Sequence, residues 1–170
     1  MSTDELLDLV DEKDNIIGEV WKSKANTNPN VIHREVALLI YDDQKRVLIQ
    51  KRSMKKKNDP GLWIISVAGH VPKGMTPLQA AHMELKEELG FDTKLKFINK
   101  YLLTYSFEKH FAYLYTGKYP KGTKITLDPR ESDEYRFITK NEFQKMKSIS
   151  EEYSYKTIMV FFKKKLSNQG

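Results

Sequence analysis

Gly69-His-Val-Pro-Lys-Gly-Met75-Thr-Pro-Leu-Gln-Ala-Ala-His-Met83-Glu84-Leu-Lys-Glu87-Glu88-Leu-Gly90-Phe91 is a glycine-rich loop running into a short helix that carries three glutamates. Their spacing of i, i+3 and i+4 puts Glu84, Glu87 and Glu88 on one side of an α-helix. Like charges so placed destabilise a helix unless a cation neutralises them. A divalent metal that also holds a phosphate chain is suited to that task. The plain alternative is an amphipathic helix whose acidic face is merely solvated.

The helix carries its own boundary signals. Thr76 is an N-cap, Pro77 fits the first helical position and Gln79 completes a capping box. Gly90 supplies the C-terminal stop. At about 100° per residue, Leu78, Ala81, His82, Leu85 and Leu89 form the face expected to pack inward, with the glutamates in a separate sector.

Outward from this segment the chain reads as strands with few helices. Residues 5–21 predict a strand pair with a turn at Asp11–Asn15, followed by a loop at 26–30. Strands are expected at Glu35–Tyr41 and Arg46–Lys51 around the turn Asp42–Lys45, and at Leu62–Val67 after the turn Asp59-Pro60-Gly61. Lys96–Ser106 and His110–Lys118 read as a long hairpin, with a short strand at Tyr135–Ile138. Helices are expected at Asn141–Lys147 and Glu151–Leu166, the latter with an apolar stripe through Tyr155, Ile158, Met159 and Phe162. Strands interrupted by one helix and closed by another predict an α/β fold with a mixed β-sheet between helices.

Composition bounds the function classes. A chain of 170 residues, 39% hydrophobic and 31% charged, reads as one domain spanning 1–170 with a sizeable core. It contains no run of about 18 apolar residues, and its acidic N-terminus has no signal-peptide h-region, so no membrane partner and a cytoplasmic location are expected. With no cysteine there is no disulfide, thiolate metal site or cysteine nucleophile. The net charge of +6 suggests an anionic partner, yet no helix-turn-helix, RNP or zinc-finger spacing points to nucleic acid.

The 69–91 segment resembles the Nudix box, G-x5-E-x7-R-E-U-x-E-E-x-G-U, with U a bulky aliphatic residue. Gly69, Glu84, Leu85, Glu87, Glu88 and Gly90 fall on its fixed positions, and Phe91 roughly fits the last. Met75 stands where the family has glutamate, and Met83 where it has arginine. The resemblance implies the Nudix α/β/α sandwich. In that family the missing pair helps organise the loop and helix, so an apolar contact in place of an ion pair is the expected compensation.

Gln50-Lys-Arg52 through Pro60-Gly61-Leu-Trp63 to Ser66-Val67-Ala68-Gly69-His70 is similar to the matching region of isopentenyl-diphosphate isomerases, and the similarity runs from about residue 31 to 117. It implies that Arg52 and Lys56 hold a diphosphate, a task suited to a forked guanidinium and a point charge. It also places His33, His70 and Glu108 at metal-ligand positions, with His110 near a position where the isomerases carry glutamate. Ala68, however, occupies the place of their catalytic cysteine and cannot transfer a proton.

Together these readings predict Mg2+-dependent hydrolysis of the diphosphate linkage of a small-molecule substrate, of nucleoside-diphosphate type or another organic diphosphate, with Mn2+ as an alternative ion. Glu84, Glu87 and Glu88 would be catalytic residues and metal ligands, Arg52 and Lys56 substrate ligands, and His33, His70 and Glu108 a second metal site. Glu131 and Glu134 are candidates for a general base. Trp21, Trp63, Tyr105, Phe107 and Tyr113 are able to stack on a base, although aromatics at strand spacing ordinarily belong to a core. A non-catalytic diphosphate binder and an isomerase are the competing classes, and a homodimer is left open.

Overall fold

The computed structural model describes residues 4–149 and 152–167, and in the last helix the side chains of 154, 156–159 and 161–163. The N-terminal strand pair forms as expected, β1 (Leu6–Val10) with β2 (Ile16–Trp21), and a short α1 (Lys22–Ala25) follows that sequence reasoning did not foresee. Then come β3 (Ile32–Tyr41), β4 (Val47–Arg52), β5 (Trp63–Ile64), β6 (Val67–His70) and α2 (Pro77–Leu89). The chain continues through β7 (Leu95–Thr104), β8 (Lys109–Lys118), β9 (Ser132–Ile138), α3 (Lys140–Lys145) and α4 (Glu152–Ser167).

All of these strands join one mixed sheet. β3 is its axis. It pairs in parallel with β8 along its whole length, and on its other edge it meets β1, β6 and β4 in turn, all antiparallel. Because strand side chains alternate, β3 feeds two cores. Val36, Leu38 and Ile40 pack with Ala80, Ala81, Leu85 and Leu89 of α2, while Ala37 and Leu39 pack with Phe143 of α3 and Ile158, Phe161 and Phe162 of α4. The sheet therefore lies between helices, as expected. Tyr155, one member of the predicted α4 stripe, lies outside the described side chains.

The expected strand at 62–67 is broken in two, and Ser66 is the reason. β5 pairs with β4, whereas β6 pairs with β3, so the chain changes neighbours at Ile65 and Ser66. Ser66 accepts a hydrogen bond from the Ile40 N–H at 2.8 Å and donates to the Leu48 carbonyl at 2.6 Å. Its hydroxyl thus bridges β3 and β4 where a ladder bond is missing. The side chain replaces sheet pairing instead of continuing it.

The helix caps of α2 form as read. The Thr76 hydroxyl accepts from the Gln79 N–H, the Gln79 side chain accepts from the Thr76 N–H at 2.9 Å, and Gly90 closes the helix at φ 75°. Of its expected inward face, Ala81, Leu85 and Leu89 are buried, whereas Leu78 and His82 are not. Leu78 is 43% exposed and His82 is half-exposed, pairing with Asp92 at 2.5 Å, while Ala80 and Glu88 are buried. Glu88 joins the buried side and is held there by a hydrogen bond from Gln50 of β4.

Candidate active site

The three glutamates of α2 do not share one environment. Glu87 is exposed, Glu84 is half-buried and Glu88 is buried. Glu84 lies so close to the backbone of Gly69 that a Cβ there would stand 2.2 Å from the Glu84 Cδ, so the first box glycine is the floor on which this carboxylate rests. Burial, reinforced by the Glu87 charge, pushes the Glu84 carboxyl up to about 8. Burial, with the Glu84 charge, raises Glu88 as well. Gln50 Nε2 donates to Glu88 Oε2 at 2.7 Å and to the Ser66 carbonyl at 2.6 Å, fixing the carboxylate from behind. Interacting carboxyls held this way require protons or a cation.

The glycine loop is fastened to β1. Lys73 N–H donates to the Leu6 carbonyl at 2.8 Å, Gly74 N–H donates to Asp8 Oδ2 at 3.2 Å, and Leu7 bridges Pro72. Met75 is 37% exposed and Met83 is half-buried, and among the described residues neither belongs to a core cluster. The contacts that fasten the loop in the structure are those to the N-terminal hairpin.

The two cationic residues of the β4–β5 region differ in their surroundings. Lys56 Nζ pairs with Glu131 at 2.6 Å, and its charge lowers the Glu88 carboxyl while that of Glu131 raises both Glu84 and Glu88. Arg52, at the end of β4, donates through Nε to the Asn58 carbonyl at 3.0 Å. The loop bearing Glu131 is anchored to α2 by the Asp128 N–H, which donates to the Glu88 carbonyl at 3.2 Å. Of the two general-base candidates, Glu131 thus faces the carboxylates, whereas Glu134 is paired with Arg136 at 2.8 Å.

A second cluster forms on the face of β3 that carries Ala37 and Leu39. Strand register sets His33 beside His110 of β8 and Glu35 beside His70 of β6. Glu35 is the hub. Its carboxylate lies 3.3 Å from His33 Nε2, 3.2 Å from His70 Nε2 and 3.5 Å from His110 Nε2. His33 and His70 stack with ring centroids 5.2 Å apart, and Glu108 Oε1 stands 3.7 Å from His110 Nδ1. Ligand atoms of His33, Glu35, Glu108 and His110 all lie within 4.8 Å of one another.

The electrostatics suit a cation. Burial depresses His70 to about 3 and also depresses His110, so both rings are neutral and offer lone pairs. Burial opposes ionisation of Glu35, whereas the hydrogen bond with His33 and any positive charge that His110 or His70 takes up favour it, so its carboxyl lies below the usual range and the histidines and carboxylate titrate against one another. Buried Nδ1 atoms of His33 and His110 have no hydrogen-bond partner. Imidazole nitrogens with two carboxylates form a donor set for a transition metal or Zn2+.

Sequence reasoning named His33, His70 and Glu108 here; the structure brings His33 and Glu108 together with Glu35 and His110, while His70 stacks on His33 and turns its Nε2 to Asn26 at 2.8 Å and to Glu35, outside that four-residue group. The readable signal for Glu35 was its position two residues after His33 on a strand. Lys22 was also missed. It is paired with Glu5 at 3.2 Å, and its charge acts on both Glu84 and His70. Ala68 of β6, paired in register with Ala37, is exposed beside them.

A family model described as NUDIX domain matches residues 31–158. An isopentenyl-diphosphate Delta-isomerase of Serratia proteamaculans is 34% identical over 128 residues, covering 70% of this chain and 70% of its own. An uncharacterized Nudix hydrolase of Listeria monocytogenes is 32% identical over 154 residues, covering 87% and 88%. Among solved structures, one from Deinococcus radiodurans superposes with a TM-score of 0.74 at 20% identity, covering 88% and 95% of the two chains, which shows the fold alone. No described helix is long and apolar enough to cross a membrane. With its box, sheet and helix order in agreement with that match, the chain belongs to the NUDIX domain family, as an enzyme of the kind that acts on pyrophosphate bonds.

Proposed function

We propose that the protein is a divalent-metal-dependent hydrolase of an organic diphosphate. The observation that carries this reading is the convergence of half-buried Glu84 and buried Glu88, both raised in pKa, within reach of the charges of Lys56 and Glu131. Glu84, Glu87 and Glu88 would hold Mg2+ or Mn2+. His33, Glu35, His70, Glu108 and His110 would hold a second ion. A bound divalent ion supplies charge neutralisation and lowers the pKa of water.

The chain's own groups account for the remaining steps. Lys56 and Arg52 bind the non-bridging phosphate oxygens, and Lys22 does so from the opposite side. Lys56 thereby exchanges its partner, leaving the Glu131 carboxylate free to take a proton from the attacking water. The water oxygen forms a bond to phosphorus, the bridging P–O bond breaks, and the leaving phosphate departs against Arg52. Gln50 holds Glu88 in place throughout, and the β1 contacts hold the loop.

A second reading, isomerisation of an isoprenoid diphosphate, is favoured by the names of the isomerase relatives. It lacks a proton carrier at Ala68. A panel of nucleoside diphosphate derivatives and isoprenoid diphosphates, assayed for phosphate or diphosphate release with Mg2+, with Mn2+ and with chelator, tests both readings. Metal-dependent release supports hydrolysis. Deuterium exchange between isoprenoid isomers without release would replace it with isomerisation, and metal binding with neither activity would leave a binder.

A further inference from the structure

The turn joining β7 to β8 is Tyr105-Ser-Phe-Glu108, in which the Tyr105 N–H donates to the Glu108 carbonyl at 2.8 Å. Hairpin turns favour Gly, Asn and Asp for their backbone freedom. This turn has none of them, and none of its residues has positive φ. Turn formation therefore gives no reason for two aromatic residues, nor for leaving Phe107 48% exposed. The two rings nevertheless stack, with centroids 5.7 Å apart and planes 16° from parallel. Tyr105 in turn contacts His110, at 5.9 Å between ring centroids. The stacked pair leans, at a tilt of 35°, on a histidine of the second cluster and ends on the half-exposed Phe107, on the same turn that supplies Glu108.

We propose that Tyr105 and Phe107 form a stacking ledge for a flat aromatic group, such as a nucleobase, on the organic side of the diphosphate substrate. The proposal rests on the reading of the neighbouring clusters as a diphosphate site. A flat π-system matches the open face of Phe107 ring against ring. A prenyl chain has no such face and gains only buried area. Tyr105 backs the ledge and connects it to His110, so the occupant's position is tied to the cluster that would hold the second ion. The ledge thus selects for aromatic-bearing diphosphates over aliphatic ones.

Calorimetric titration of the full chain with Mg2+ and three probes, ADP, inorganic diphosphate and dimethylallyl diphosphate, tests this directly. ADP should bind more tightly than dimethylallyl diphosphate. Phe107→Ala should weaken ADP about tenfold, a loss typical of one base–aromatic stack, and leave inorganic diphosphate unchanged. Phe107→Trp should retain ADP affinity, whereas Phe107→Leu, which keeps apolar area without a π-face, should not. Equal weakening of all three probes, or no weakening of ADP, would overturn the ledge. If inorganic diphosphate binds in a Glu88-dependent manner while ADP ignores Phe107, the ledge alone falls. If Glu88→Gln leaves all binding unchanged, or no probe binds the native chain, the site reading falls and the ledge with it.

Discussion

Glu84 rests on Gly69: the glutamate comes from the middle of α2, the glycine from β6 across the loop, and no Cβ fits between them. The loop must therefore turn back on itself to bring a strand backbone under a helical carboxylate. Gly69→Ala should leave the fold intact, since the three atoms nearest its Cβ all belong to that movable side chain, but displace Glu84. A displacement on the order of 1 Å at a reacting centre costs about a hundredfold. Turnover of Gly69→Ala beside its melting temperature checks this: activity should fall by that order with little change in stability.

The raised carboxyls make metal-free stability depend on pH. Burial and the Glu87 charge lift Glu84 from the usual 4.5 to about 8, and Glu88 is raised too. A group raised in the folded state binds its proton more tightly there than when unfolded. Its stabilising contribution is full below about pH 4.5 and lost as pH rises through about 8. Melting temperature in chelator should fall across that window, and Glu84→Gln should flatten the slope. Mg2+ should restore stability at the alkaline end, because it binds the folded, ionised site. Identical profiles with and without Mg2+ would count against the cluster as a cation site.

Ser66 replaces a missing ladder bond with its hydroxyl, so Ser66→Ala removes the partners of both the Ile40 N–H and the Leu48 carbonyl. Leaving two buried backbone groups unpaired should cost about 2–4 kcal/mol. Denaturant unfolding would show this as a lower midpoint. Ser66→Thr keeps the hydroxyl and should lose less if the extra methyl is accommodated.

Asp8 accepts from the Gly74 N–H and is buried, so it fastens the box loop to the N-terminal hairpin. Asp8→Ala should lower activity more than Met75→Ala does, since Met75 is half-exposed and outside the core clusters. Turnover of the two variants, each corrected for stability, decides the order. The opposite ranking would return the loop's organisation to Met75.

The box was legible because its signals are local. Thr76, Gln79 and Gly90 cap the helix by contacts within a few residues, and the glutamate spacing follows from helix geometry. What escaped depends on distant pairing. Glu35 becomes a hub only through the register of β3 with β6 and β8, and Lys22 reaches both clusters only because the N-terminal hairpin packs against the loop. The burial of Glu88 has the same origin: its partner Gln50 lies on a strand 38 residues away, which nothing in the helix's own sequence reveals. Ser66 looked like one more strand residue because nothing local shows that its neighbours part.

The central claim is that the α2 carboxylates hold the cation on which diphosphate cleavage depends. Measured on the diphosphate substrate that the native chain turns over with Mg2+, kcat of Glu88→Gln isolates it. This variant keeps the volume and the acceptor for Gln50, and removes only the charge. Because loss of an outer-shell partner alone costs about 10–100-fold, loss of this ligand should lower kcat by at least about a hundredfold, with the fold unchanged. Undiminished turnover in Glu88→Gln would contradict the account.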